Sequence, residues 1–185
     1  ALSFLGRVRL AADGWALSAQ TEEGDIMIHS MVFAIVILGA MVGATQAQLI
    51  EKKALTLEGA KQIVAAAEAK AKLEGARVVI AVVDEGGNLL LLQRLDDTQV
   101  ASVNVGIDKA RTAAIFRRPS KVFEEQVRNG RVAALALHGA VPLQGGVPIV
   151  VEGKVIGAIG VSGETPGQDE DIALAGAAVA ASFTK

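Results

Sequence analysis

Few side chains in this sequence could do chemistry, and their scarcity narrows the choices. His138 is the one histidine between residues 51 and 185. A neutral imidazole can ligate haem iron or another metal, and it can act as a general base near neutral pH. Asp84 closes a β-branched run beside a Gly-Gly pair, so it is a candidate proton-moving carboxylate and equally an ordinary turn former. Basic residues crowd together at Lys109, Arg111, Arg117, Arg118 and Lys121. Arginine suits a planar carboxylate through two parallel hydrogen bonds. Lys109 and Arg111, two apart, cannot face the same way on a helix, whereas Arg111 and Arg118 would share a face if one helix ran that far.

The stretch GGVPIVVEGKVIGAIGVSG, residues 145–163, is different in kind: glycine-rich, apolar, and without His, Cys, Asp or Arg. Gly157 and Gly160 fall inside a strand, where glycine marks a bulge or a close approach by another backbone or a ligand. Ser162 and Gly163 lead into a helix with Asp169, Glu170 and Asp171 in its first turn. Free N–H groups at a helix start can hold a carboxylate. We therefore expect Arg111 and the N–H groups near Ser162, Gly163 and Asp169 to converge on the carboxylate of a ligand. Arg118, Gly145 and Gly146 would form the rest of its wall. The competing expectation is that the glycines serve packing and the acids satisfy the helix end.

Composition excludes several classes. With no Cys there are no disulfides, no thiolate ligation and no cysteine catalysis. Bis-histidine ligation within one subunit is excluded as well, and no Ser-His-Asp set, phosphate loop or dinucleotide fingerprint is present. Residues 1–50 hold two Arg and four acids of the chain's 18 basic and 20 acidic residues, so residues 51–185 are neutral. That part also has three Phe and no Tyr or Trp, which excludes a nucleic-acid binder.

The elements that must position these residues follow from periodicity. Thr56 should cap a helix with Leu57, Ala60, Ile63, Val64, Ala67 and Ala71 on its buried side, stopped by Gly75. RVVIAVVD (77–84) reads as a central strand, EGGN (85–88) as a turn and LLLLQRL (89–95) as its hairpin partner. A second helix is predicted from Thr98 to Phe116, with Val100, Val103, Ile107, Ala110 and Ala114 buried. Pro119 ends it, and a short helix runs from Ser120 to Gly130. Residues 134–146 read as a strand or extended loop, 147–152 and 155–162 as a second hairpin, and 168–183 as a closing helix. The fold class is α+β: an antiparallel sheet with helices packed on it.

Residues 1–50 form an extension in which 26–44, IMIHSMVFAIVILGAMVGA, is strongly apolar. Its two readings are a signal peptide ending near Thr45 to Ala47, and an uncleaved membrane anchor. Either implies an exported, periplasmic or extracellular domain. His29 would be lost on cleavage.

VVIAVVDEGGNLLLLQRLD (78–96), DKARTAAIFRRPS (108–120), PLQGGVPIVVEGKVIGAIGVSG (142–163) and QDEDIA (168–173) resemble, in order and spacing, the GlcG/HbpS family of haem-linked proteins, seen also as the C-terminal domain of PduO proteins. The resemblance implies a profilin-like fold, with a five-stranded antiparallel sheet flanked by helices, assembled into a homo-oligomer. It implies haem or another small carboxylate-bearing molecule as ligand; if haem binds, His138, the one His of the domain, is the expected axial ligand. Haem-linked members commonly use a His near the start of the domain, and Gln48 to Gly59 holds none. Two other readings stay open. One is an isomerase or tautomerase of a small unsaturated acid, with Asp84 or His138 moving the proton. The other is an accessory subunit tethered to a membrane by residues 26–44.

Overall fold

The computed structural model describes residues 49–183, so the apolar segment 26–44 lies outside the described residues. Among the described residues no helix is long and apolar enough to cross a membrane. The elements are α1 (Leu57–Glu74), β1 (Val79–Asp84), β2 (Leu89–Arg94), α2 (Ser102–Ile115), α3 (Lys121–Arg128), β3 (Gly146–Val151), β4 (Lys154–Ser162) and α4 (Pro166–Ala177). Short 3₁₀ turns cover Val132–Ala136 and Ala178–Ser182. The sheet runs β2-β1-β4-β3, every neighbour antiparallel.

Local chemistry sets the ends of α1. The Thr56 hydroxyl accepts from the Gly59 N–H at 3.1 Å, and Gly75 closes the helix with φ 65°, a conformation that suits glycine. The β1–β2 turn is tied by Asp84. Its Oδ1 accepts from the Gly86 N–H at 2.9 Å and the Asn88 N–H at 2.8 Å, and the Asn88 amide reaches its other oxygen at 3.0 Å. Burial pushes this carboxyl up, but the hydrogen bonds from Asn88, Gly86 and Gly87 outweigh it and hold the group below its usual value.

The two faces of the sheet are built differently. Under α1 and α4 lie Val78, Ile80, Val82, Ile149, Ile159 and Val161, a thick layer of branched side chains. Under α2 lie Ala81, Val83 and Ala158, facing Ala110, Ala113 and Ala114. This thin layer lets backbone meet backbone. A Cβ on Gly160 would collide with the Gly106 carbonyl oxygen and come within 2.5 Å of the Ala110 nitrogen. A Cβ on Gly146 would collide with the Lys109 carbonyl. Gly146 and Gly160 therefore bring α2 down onto the sheet.

That geometry corrects the expected course of α2. The helix starts at Ser102, not Thr98. Thr98 closes a preceding turn, its hydroxyl donating to the Leu95 carbonyl at 2.7 Å. Its buried residues are Ser102, Gly106, Lys109, Ala110, Thr112, Ala113 and Ala114, so Ala110 and Ala114 are buried as expected, while Val100 is 74% exposed. Small residues win because the opposing surface leaves no room for valine. The expected fifth strand is also absent among the described residues. Residues 132–145 form a 3₁₀ turn and an irregular segment before β3, and the Val141 N–H bonds the Thr112 hydroxyl of α2 at 2.8 Å instead of a strand.

One buried ion pair crosses the thin side. Lys109 Nζ of α2 lies 2.7 Å from Asp169 Oδ2 of α4, the two side chains 5% and 3% exposed. The same ammonium donates to the Val161 carbonyl of β4 at 2.9 Å.

Two outcomes follow for unfolding in urea. Gly160→Ala is expected to cost about 1–3 kcal/mol, since the helix must lift off the strand. Gly167→Ala, where an added Cβ meets nothing within 4 Å, serves as a control and is neutral or slightly stabilising. Equal stabilities would refute the close-approach account. Asp169→Ala is expected to cost about 3–5 kcal/mol by stranding the Lys109 charge. The double variant Lys109→Met/Asp169→Leu should lose less than that single one, because no buried charge is left unpaired; an equal or larger loss refutes the account.

Candidate functional site

The structure gathers part of the expected site and scatters the rest. Gly145, Gly146, Ser162, Gly163 and Asp169 do meet. β4 ends at Ser162, and the loop after it turns into α4, capped by Thr165 with Pro166 in its first turn. Asp169 Oδ1 accepts from the Glu164 N–H at 3.0 Å, and Oδ2 takes the Lys109 ammonium. Gly145, at φ 120°, lies against them: a Cβ there would come within 2.9 Å of Lys109 Nζ and 3.0 Å of the Asp169 Cβ. Burial pushes the Asp169 carboxyl up, opposed by Lys109 and by the main-chain N–H groups of Glu164 and Gly163. The carboxylate held by this loop is thus the chain's own.

The network continues on the far side of Gly145. Glu170 receives Lys121 Nζ at 2.9 Å and the Gln144 side-chain amide at 2.6 Å. The Gln144 N–H donates to Glu124 of α3 at 2.7 Å, and Ser120 Oγ receives the Gly146 N–H at 2.8 Å. In the sequence Lys109 and Lys121 stand out only as members of a basic cluster and Glu170 only as a first-turn acid, while Gln144 has no role. For Lys109 the signal was its place on the stripe with Gly106, Ala110 and Ala113.

Arg111 is not part of this cluster. Its Nε donates to the Gly87 carbonyl at 3.3 Å, and Nη1 pairs with Asp108 at 3.2 Å. Gly87 belongs to the turn beyond Asp84, which pairs with Gly157, whereas Ser162 pairs with Val79. Five residues at about 3.4 Å each put the two ends of β1 roughly 17 Å apart. The expected convergence of Arg111 on the Gly163 loop is therefore not found. Arg118 lies beyond the end of α2, bonded to the Phe116 carbonyl at 3.1 Å and over the Phe123 ring at 5.9 Å, so it shares no face with Arg111. His138 is exposed in the segment before β3, beside Gly139, which abuts Ile115. Asp84 spends its lone pairs on the turn. Among the described residues no group of three or more His, Asp or Glu could hold a metal ion.

A separate cleft of about 450 Å³ opens where the chain enters the domain. Its walls come from the segment before α1 (Lys53, Leu55, Thr56), the β3–β4 hairpin (Val151, Ile156) and the closing 3₁₀ turn (Phe183 at its end). The volume falls in the range of small-molecule sites, roughly 300–1,000 Å³. Leu55, Val151, Ile156 and Phe183 make it apolar, and Lys53 is its one basic lining residue among those described. No part of the predicted site lies here.

Comparison with known proteins agrees with the motifs. The family model described as "Haem degrading protein HbpS-like" matches residues 55–178. Protein GlcG of Escherichia coli strain K12 is 46% identical over 111 residues, 60% of this chain and 83% of GlcG. The crystal structure of Klebsiella pneumoniae protein ORFY superposes with a TM-score of 0.71 at 30% identity, covering 76% of this chain and all of that one. A crystal structure of a PduOC:heme complex superposes with a TM-score of 0.63 at 28% identity, covering 68% of this chain and 94% of that one. With the family model matching residues 55–178 and GlcG 46% identical over 111 residues, the chain belongs to the HbpS-like family.

Proposed function

We propose that this chain is a small-molecule-binding protein that takes haem, or another flat apolar molecule bearing carboxylates, in the cleft between the start of α1 and the β3–β4 hairpin. The observation that carries the reading is the cleft itself: apolar walls with one ammonium at Lys53. Apolar walls cover a ring, and a few placed polar groups orient it. The family's description and the PduOC:heme complex support haem as the ligand class.

The lining side chains suit a porphyrin ring and its propionates better than they suit iron. None of them is His, Met, Cys or Tyr. When bound, haem would supply its usual iron chemistry; this chain would contribute the walls, from Leu55, Val151, Ile156 and Phe183, and a cation for a propionate. Lys53 and Thr56 belong to the stretch Gln48 to Gly59, which holds no His. No observation favours the isomerase reading, because Asp84 is committed to its turn and His138 is exposed in the segment before β3.

We further propose that the domain is profilin-like and works outside the cytoplasm as a homo-oligomer. Leu89, Ile115, Val132, Leu135 and Leu143 are exposed large apolar side chains that self-association would cover.

Titration is expected to give a Soret shift with hemin, unchanged in His138→Ala. Fluorescence should give a dissociation constant for metal-free protoporphyrin IX within about threefold of that for hemin. Leu55→Ala/Phe183→Ala should weaken both by roughly tenfold or more, two lost apolar contacts at about 1–2 kcal/mol each. Loss of the Soret shift in His138→Ala would move the site to the surface before β3, and undiminished binding in the double variant would remove the cleft. Light scattering at micromolar concentration is expected to give at least a dimer; a monomer would refute assembly.

A further inference from the structure

The single basic residue of the cleft is already paired. Lys53 Nζ lies 2.5 Å from Glu152 Oε1, the two side chains 30% and 70% exposed. Glu152 and Gly153 are the two residues of the β3–β4 turn, and both have positive φ, 50° and 73°. Such a turn is filled by Asn, Asp or Gly, because other side chains crowd the backbone in the left-handed region. A glutamate there breaks the local rule, which points to a use for its charge. The turn is also the rim of the cleft, since Val151 and Ile156 on either side of it form the wall.

Glu58, in the first turn of α1, is the one acidic side chain lining the cleft among the described residues, and it lies 3.5 Å from Lys61. With Lys53 neutralised by Glu152, the cleft therefore presents no net positive charge to an anion. Freed from Glu152, Lys53 is a half-buried ammonium against an apolar wall, the setting in which a carboxylate is held well. The existing pair is exposed on the Glu152 side, so solvent screens it and little holds it closed.

We propose that Glu152 is a displaceable counter-charge: a carboxylate-bearing ligand enters the cleft by exchanging with the Glu152 side chain at Lys53. Glu152 thereby sets how anionic a molecule must be to bind. A neutral molecule of the same shape gains nothing from the exchange, and a carboxylate gains only the difference between its own contact with Lys53 and that of Glu152. The inference rests on the cleft being the ligand site.

The test compares protoporphyrin IX with its dimethyl ester, by fluorescence, on the whole chain. Glu152→Gln is expected to tighten protoporphyrin IX by roughly two- to fivefold, the worth of an exposed ion pair expressed as an affinity. Glu152→Gly, which the left-handed backbone accepts more readily than Glu, should tighten it equally while raising the melting temperature. Lys53→Gln should weaken protoporphyrin IX by roughly tenfold and abolish the effect of Glu152→Gln in the double variant. The ester should respond to none of these changes. Unchanged or weaker protoporphyrin IX binding in Glu152→Gln overturns the counter-charge role, and so does an ester that responds as the acid does. If Leu55→Ala/Phe183→Ala binds both probes as the parent does, the cleft itself is wrong and both conclusions fall together.

Discussion

The Lys109–Asp169 ion pair is the constraint around which the rest is arranged. Removing an ammonium and a carboxylate from water costs several kcal/mol each, and the attraction between them repays this only when the remaining donors and acceptors are also met. Here they are: the ammonium has the Val161 carbonyl as well as Asp169, and the carboxylate has the Glu164 N–H as well as Lys109. Those partners lie on α2, β4, the loop after it and α4. Sliding any one element by a residue strands a charge. The pair thus fixes register among elements whose apolar contacts are small and interchangeable, alanine on alanine over glycine. Gly145 follows from the same constraint, because a side chain there would occupy the space of the ammonium.

Much of the fold was legible because local chemistry decides it. Thr56 and Gly75 bound α1, and the Asp84–Asn88 turn joins a hairpin, through hydrogen bonds within a few residues of each other. The buried face of α2 was legible from hydrophobicity only in part. Ala110 and Ala114 are buried as their helical spacing implies and Ile107 is partly so, but Val100 is exposed, and the surface this helix meets is glycine and alanine main chain. The rest of the stripe, Ser102, Gly106, Lys109 and Ala113, carries a lysine that an apolar template rejects. The information lay in the strand glycines, since a Gly in a strand forecasts a close neighbour and therefore small residues on whatever approaches it.

For the site, the grouping of Gly145, Gly146, Ser162, Gly163 and Asp169 was readable, and so was a carboxylate at the loop after β4. The owner of that carboxylate was not. Arginine is favoured for an incoming carboxylate because its fork is bidentate, and that preference pointed to Arg111. A space bounded by Gly145 and reached from below α2 admits a single ammonium on a narrow stem, and Lys109, two residues earlier and on the opposite face, fills it. The cleft gave a weaker sequence signal. Lys53 to Gly59, Val151 to Ile156 and Phe183 are far apart in the chain, and nothing in their spacing brings them together. The hairpin that resembles the family supplies Val151 and Ile156 to its wall, but as ordinary apolar residues of strands, while Gln48 to Gly59 lacks the His that would have marked a ligand site there.

The Lys109–Asp169 and Lys53–Glu152 pairs make the same contact and serve opposite ends, and solvent decides which. At 5% and 3% exposure, Lys109 and Asp169 have no water to replace a lost partner, so separating them leaves two bare charges in an apolar setting. At 30% and 70%, Lys53 and Glu152 can part at almost no cost, because water takes up the glutamate as it leaves. The lysine is the less exposed of the two, so it gains more than the glutamate does from finding a new partner. An ion pair whose cation is half-covered and whose anion is free to swing away is asymmetric in a useful direction. It keeps the cation satisfied while the cleft is empty and yields it to a ligand that brings its own carboxylate.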